Sequence, residues 1–173
     1  MVKRRIAYSG IIGALAIGLG FALAAVPNVE LLTLTVGVGG FILGPVWGGL
    51  TGMLSWVIYS LLNPMGAPPP HYLVVQALAG LLAGLFGSLL AVLYRRWKAN
   101  LPRVLAAATV GLLTTFIYQV GINVASFMLY GSEETLIPFI IAGIAFSGLH
   151  LVSNTLIFGA VFPLIARIWE RKV

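Results

Sequence analysis

Apolar residues run through this chain in long blocks separated by short polar or proline-rich breaks, and the breaks define its elements. The first block follows the basic cluster Lys3, Arg4 and Arg5, covers about residues 6–26 and stops at Pro27-Asn28. It is roughly 20 residues long and no polar region follows it, which fits a retained membrane span better than a cleaved signal peptide. From Glu30 to Leu62 the apolar run is interrupted only at Gly39-Gly40 and Gly44-Pro45. Such a run is too long for one helix across a hydrocarbon core about 30 Å thick, and proline lacks the backbone donor that a helix interior needs. Two shorter helices are therefore expected, at 31–43 and 46–62, turning at Gly44-Pro45. Asn63 to Pro70 is proline-rich and reads as a stiff, non-helical loop. A fourth span is expected at 72–94, a polar break from Arg95 to Arg103, a fifth span at 104–130, a short acidic loop at Gly131-Ser132-Glu133-Glu134, and a sixth span at 138–166. Pro138 suits the first turn of that last helix.

Composition agrees with this pattern: 60% of the 173 residues are hydrophobic and 8% are charged, against about 25% charged in soluble domains. The expected fold is an all-α integral membrane protein, a single bundle of six transmembrane helices that leaves no room for a soluble catalytic domain. The apolar blocks are nearly continuous rather than alternating, which argues against a membrane β-barrel. With six spans and a cytoplasmic N-terminus, all ten Lys and Arg fall on the cytoplasmic side, while Glu30, Glu133 and Glu134 fall outside. The chain thus reads as a multi-pass protein of the cell membrane with both termini in the cytoplasm. Its net charge of +6 then reflects membrane topology and contact with the lipid bilayer rather than nucleic-acid binding.

Helices in lipid associate largely through small residues that let backbones approach closely. Gly10, Ala14, Gly18 and Ala22 form such a ridge on the first span, and Gly40/Gly44, Gly48/Gly52 and Gly80/Gly84 form others. The later ridges read as packing within the bundle; the first fits either internal packing or docking of another membrane subunit.

Polar side chains within spans are costly unless paired or wetted, so their positions point to function. Thr115, Gln119, Asn123, Ser126 and Tyr130 recur at helical spacing on the fifth span, as do Ser147, His150 and Asn154 on the sixth. Tyr72 and Gln76 lie near the start of the fourth span, Asn28 and Glu30 precede the second, and Asn63 and His71 flank the proline-rich loop. Asn28, Glu30, Asn63, His71, Tyr72, Gln76, Gln119, Asn123, Tyr130 and His150 are the candidates for a small-molecule cavity open to the outside. The alternative is that the amides and imidazole bond one another between helices.

Catalytic readings find little to build on. His71 and His150 have no partner at metal-ligand spacing, and the chain has no Cys, so no metal site or cofactor is expected. Ser147 and His150 lack an oxyanion-hole signature for nucleophilic catalysis. No Asp or Glu lies deep in a span and no phosphate-binding loop is present, so any uphill transport must draw energy from another subunit.

Several stretches carry a family likeness: the basic N-terminus with Ile6-Ala7 and its small-residue helix, Pro27-Asn28-Val29-Glu30-Leu31-Leu32-Thr33-Leu34, Phe41 to Gly52, and Asn154-Thr155-Leu156-Ile157-Phe158 ahead of Pro163. Across nearly its whole length the chain resembles the substrate-binding S-components of energy-coupling factor transporters. The resemblance implies a six-helix subunit, itself not an enzyme, that captures a micronutrient such as a vitamin outside the cell. Its partners would be a transmembrane coupling protein and two cytoplasmic ATPases. It also implies that the register Gly10, Ala14, Gly18 and Ala22 meets the coupling protein, with glycine in place of some of the family's alanines. Substrate contacts would come from the loops after the first and third helices and the outer halves of the last three. With one acid in that region and no Lys or Arg, a neutral or largely apolar ligand is favoured. The competing reading is a structural scaffold protein of the rod-shape type, which would need no ligand.

Overall fold

A chain apolar on nearly every face suits a backbone that satisfies its own hydrogen bonds. The computed structural model is helical wherever it has regular structure; it describes residues 2–64, 66–131 and 136–171. Among these, seven helices follow one another: α1 (Val2–Ala22), α2 (Leu32–Leu43), α3 (Pro45–Leu61), α4 (Pro70–Arg96), α5 (Asn100–Tyr130), α6 (Leu136–Phe146) and α7 (Gly148–Glu170). Four of them, α1, α4, α5 and α7, are long and apolar enough to cross a membrane. At 1.5 Å per residue α2 reaches only about 18 Å and α3 about 26 Å, both short of the roughly 30 Å core. The outward faces carry large apolar side chains such as Ile11, Leu54, Leu78, Leu112, Phe116 and Leu164, the surface a lipid-solvated helical protein presents.

Two boundaries depart from the sequence pattern. The first helix ends at Ala22 rather than near Val26, and the chain continues through single turns, with Ala24 N–H donating to the Phe21 carbonyl and Val26 N–H to that of Leu23. Pro27 disfavours helix in the residue before it, and Asn28 takes a left-handed φ of 60°, which asparagine tolerates better than most residues. Gly44, at φ 84° and ψ 178°, makes the expected turn between α2 and α3. The expected single span at 138–166 is instead two helices parted at Ser147, whose ψ of 9° departs from helical values. The hydroxyl of Ser147 is drawn to Gln119 Oε1 at 2.9 Å. The backbone bonds Ser147 N–H to the Gly143 carbonyl and Leu151 N–H to the Ser147 carbonyl persist at 3.1 Å, so the ladder bends without opening.

Glycine sets the packing of the inner helices. A side chain at Gly40 would overlap the Gly84 carbonyl, one at Gly52 the Gly80 carbonyl, and one at Gly87 the Gly37 carbonyl, so α2, α3 and α4 touch backbone to backbone. Leu34, Leu90, Tyr94, Ala107, Val110, Phe158 and Phe162 fill the core between α2, α4, α5 and α7.

At one end of the bundle Arg103 ties three helices together. Its guanidinium lies 4.8 Å over the Tyr94 ring, donates to the carbonyls of Tyr94 and Trp97, and pairs with Glu170 at 2.8 Å. Arg167 donates to Asn100 at 2.5 Å, and Tyr8 meets Trp169 edge to face at 6.4 Å. The start of α1, the end of α4, the start of α5 and the end of α7 therefore share this end, which gathers every described Lys and Arg.

Candidate functional site

The other end of the bundle holds a cavity of about 460 Å³, bounded by the chain between α1 and α2, by α3 to α5, and by the bend between α6 and α7. That volume falls in the range of small-molecule sites. Seven of the ten sequence candidates line it: Asn28, Glu30, Asn63, Gln76, Gln119, Asn123 and His150. Three do not. The Tyr72 hydroxyl lies 2.6 Å from Ser126 Oγ and joins α4 to α5, Tyr130 is 75% exposed at the end of α5, and His71 is half-buried in the first turn of α4.

Glu30 organises the floor. One carboxylate oxygen accepts the Thr33 N–H at 2.7 Å, in the manner of a helix cap on α2, and the other accepts from Asn154 Nδ2 at 2.9 Å. His150 Nε2 lies 3.8 Å from that second oxygen. Burial alone would raise the carboxyl above its ordinary pKa of 4.5, but the nearby His150 ring and the hydrogen bonds from Thr33 and Asn154 outweigh it and hold the group lower. Glu30 is thus a carboxylate at neutral pH. Asn154 Nδ2 also donates to Thr115 Oγ1 at 2.9 Å, His150 Nδ1 is 2.7 Å from Gln119 Nε2, and Ser153 Oγ donates to the Asn28 carbonyl at 2.7 Å. The α1–α2 connection is thereby fastened to α7 while its residues 26–30 face the cavity.

An aromatic wall stands beside this network. Trp56 and Tyr118 lie 5.3 Å apart with rings tilted by 33°, Tyr59 meets Trp56 edge-on at 6.0 Å, and Tyr118 meets His150 at 5.8 Å. Sequence reasoning passed over Trp56, Tyr59, Tyr118 and Phe146, because aromatic residues in an apolar run look like lipid-facing or core positions. The signal available was that Tyr118 adjoins Gln119 and that Trp56 and Tyr59 sit three apart, on one helical face.

Three lining residues carry buried polar atoms with no protein partner: the Trp56 indole N–H, the Asn123 amide N–H₂ and the Gln76 carbonyl oxygen. Buried polar atoms are usually hydrogen-bonded, so two donors and an acceptor are available here for a ligand or water. Gly143 of α6 packs directly on the Asn123 amide and leaves no space for a side chain there. Among the described residues no group of His, Asp and Glu gathers that could hold a metal ion.

Comparison with protein-family models, with curated proteins and with solved structures finds no match. The functional reading therefore rests on the geometry itself. Along α1, Gly10, Ala14, Gly18 and Ala22 are all exposed, whereas Gly13 and Gly20 turn inward onto Ser55 and Tyr59.

Proposed function

We propose that the chain is the substrate-binding membrane subunit of a micronutrient importer of the energy-coupling factor type, energised by separate ATPase subunits. The observation that carries this reading is convergence. Polar residues scattered from Asn28 to His150 meet at one aromatic-walled cavity whose lining contains unpartnered donors and an acceptor. Clustering of the described cations at the opposite end supports a membrane orientation with both termini in the cytoplasm and the cavity opening outward. In this reading α2 and α3 complete a six-span bundle as shortened helices turning at Gly44, and α6 with α7 form one bent span. The exposed face of α1 supports its assignment as the surface that meets a transmembrane coupling protein.

Mass spectrometry of small molecules retained by the purified protein tests the proposal, together with Gln119→Ala and Asn123→Ala. Both variants should lose ligand and still fold, Gln119→Ala with a lower melting temperature because Ser147 and His150 lose their partner; if both retain the ligand as wild type does, the cavity is not the site. The scaffold reading draws on one observation of its own: Ser147, Gln119, His150, Asn154, Glu30 and Thr115 already bond one another. A protein that retains no ligand under any condition would favour it.

A further inference from the structure

Among the described residues, Glu30 is the only acid that lines the cavity. The sequence contains no Lys or Arg between Arg5 and Arg95, nor between Arg103 and Arg167. The nearest cation in the chain after Gln76, which lines the cavity, is Arg95, some 28 Å further along α4. No described Lys or Arg is therefore placed to offset the carboxylate.

An uncompensated charge in a low-dielectric site is expensive. The hydrogen bonds from Thr33 and Asn154 orient the Glu30 carboxylate, and its side chain stays 18% exposed. Each carboxylate oxygen can accept two bonds, so capacity remains on both. The aromatic wall of Trp56, Tyr59 and Tyr118 stands by the same space, and ring faces attract positive charge. An anionic ligand would meet like charge with no Lys or Arg beside it, a neutral one would gain nothing from the carboxylate, and a cation would pair with it.

Taking the cavity as a ligand site, we infer that its ligand is an organic cation: a planar nitrogen heterocycle that turns its positive charge to Glu30 and its ring to Trp56 and Tyr118. Polar substituents on that ring would engage the unpartnered Trp56 and Asn123 donors and the Gln76 acceptor. This replaces the neutral ligand that the scarcity of charged residues favoured. A protonated His150 is the rival source of counter-charge, since its Nε2 lies 3.8 Å from Glu30 Oε1.

Three soluble probes share one ring and differ in charge: the N-methylnicotinamide cation, nicotinamide and nicotinate. Their binding to wild-type protein in nanodiscs at pH 7 is read by tryptophan fluorescence, with Trp56→Phe as the control for site. The cation should bind at least about tenfold tighter than nicotinate, and Glu30→Gln should close that gap, because like-charge juxtaposition is strongly disfavoured. Nicotinate binding as tightly as the cation overturns the inference in wild type alone, whether or not the variant folds. A gap that survives Glu30→Gln also overturns it. Equal binding of all three probes, lost in Gln119→Ala, rejects the charge assignment but leaves the cavity standing as a ligand site. No binding of any probe, joined to no retained small molecule, rejects both.

Discussion

A methyl group added to Gly10 or Gly18 on α1 meets nothing within 4 Å, whereas one added to Gly80 or Gly84 on α4 runs into the backbone of Gly52 or Gly48. In the sequence the two ridges are the same pattern, small residues four apart. On α4 the pattern lets three helices cross at backbone contact, and the glycines cannot be enlarged without moving a neighbouring main chain. On α1 it leaves an open, smooth face, while different glycines, Gly13 and Gly20, make that helix's contacts with α3. Spacing fixes which residues share a face; whether that face is filled from within the molecule depends on the position of the helix in the bundle.

The largest effect is expected at the α4 ridge. Gly84→Leu forces a side chain into the α3 backbone and should abolish recovery of folded protein, since overpacking in a less crowded core already costs about 1–3 kcal/mol. Size-exclusion chromatography after membrane extraction reads this directly, and a monodisperse Gly84→Leu peak would break the account of the α2–α3–α4 crossing. Next in size is Arg103→Ala at the cationic end. It leaves Glu170 and the Tyr94 and Trp97 carbonyls without their donor and should cost about 1–3 kcal/mol, seen as a lower melting temperature. Ligand retention should persist in the folded fraction, because the clasp and the cavity occupy opposite ends.

Glu30 gives a smaller, pH-dependent effect. Its pKa is held below the ordinary 4.5 in the fold, so its stabilising contribution is present at neutral pH and is lost as pH falls below about 4.5. Melting temperature should be flat from neutral pH down to that point and then fall, with a shallower fall in Glu30→Gln; identical profiles would mean that the Thr33 and Asn154 bonds contribute nothing. The smallest effect on stability belongs to α1. Gly18→Leu should change the melting temperature little, as surface substitutions usually stay within about 0.5 kcal/mol, yet under the proposed function it should block capture by a coupling subunit and its ATPases. Strong destabilisation by Gly18→Leu would erase the contrast with α4.

Most of the helices were legible because apolar blocks and proline breaks are strong signals in a lipid-solvated chain. The Gly44-Pro45 turn was legible for the same reason. The bend at Ser147 was not, because it depends on a hydroxyl reaching Gln119 on another helix, a contact that no local pattern records. The polar stripe on α5 has the spacing of one face, but in the structure it divides. From Thr115 to Tyr130 the helix turns about 60° beyond four whole turns, so Gln119 and Asn123 reach the cavity, Ser126 bonds Tyr72 and Tyr130 points away from the bundle. The aromatic wall stayed hidden because Trp56 and Tyr118 differ from core residues only in what stands opposite them.

The central claim is that the cavity beneath the α1–α2 connection holds a small molecule. Mass spectrometry of the wild-type protein beside Gln119→Ala and Asn123→Ala tests it most directly. A single low-mass compound retained by the wild type and lost from both folded variants is the predicted result; its equal retention by all three proteins, or its absence from all three, would contradict the account.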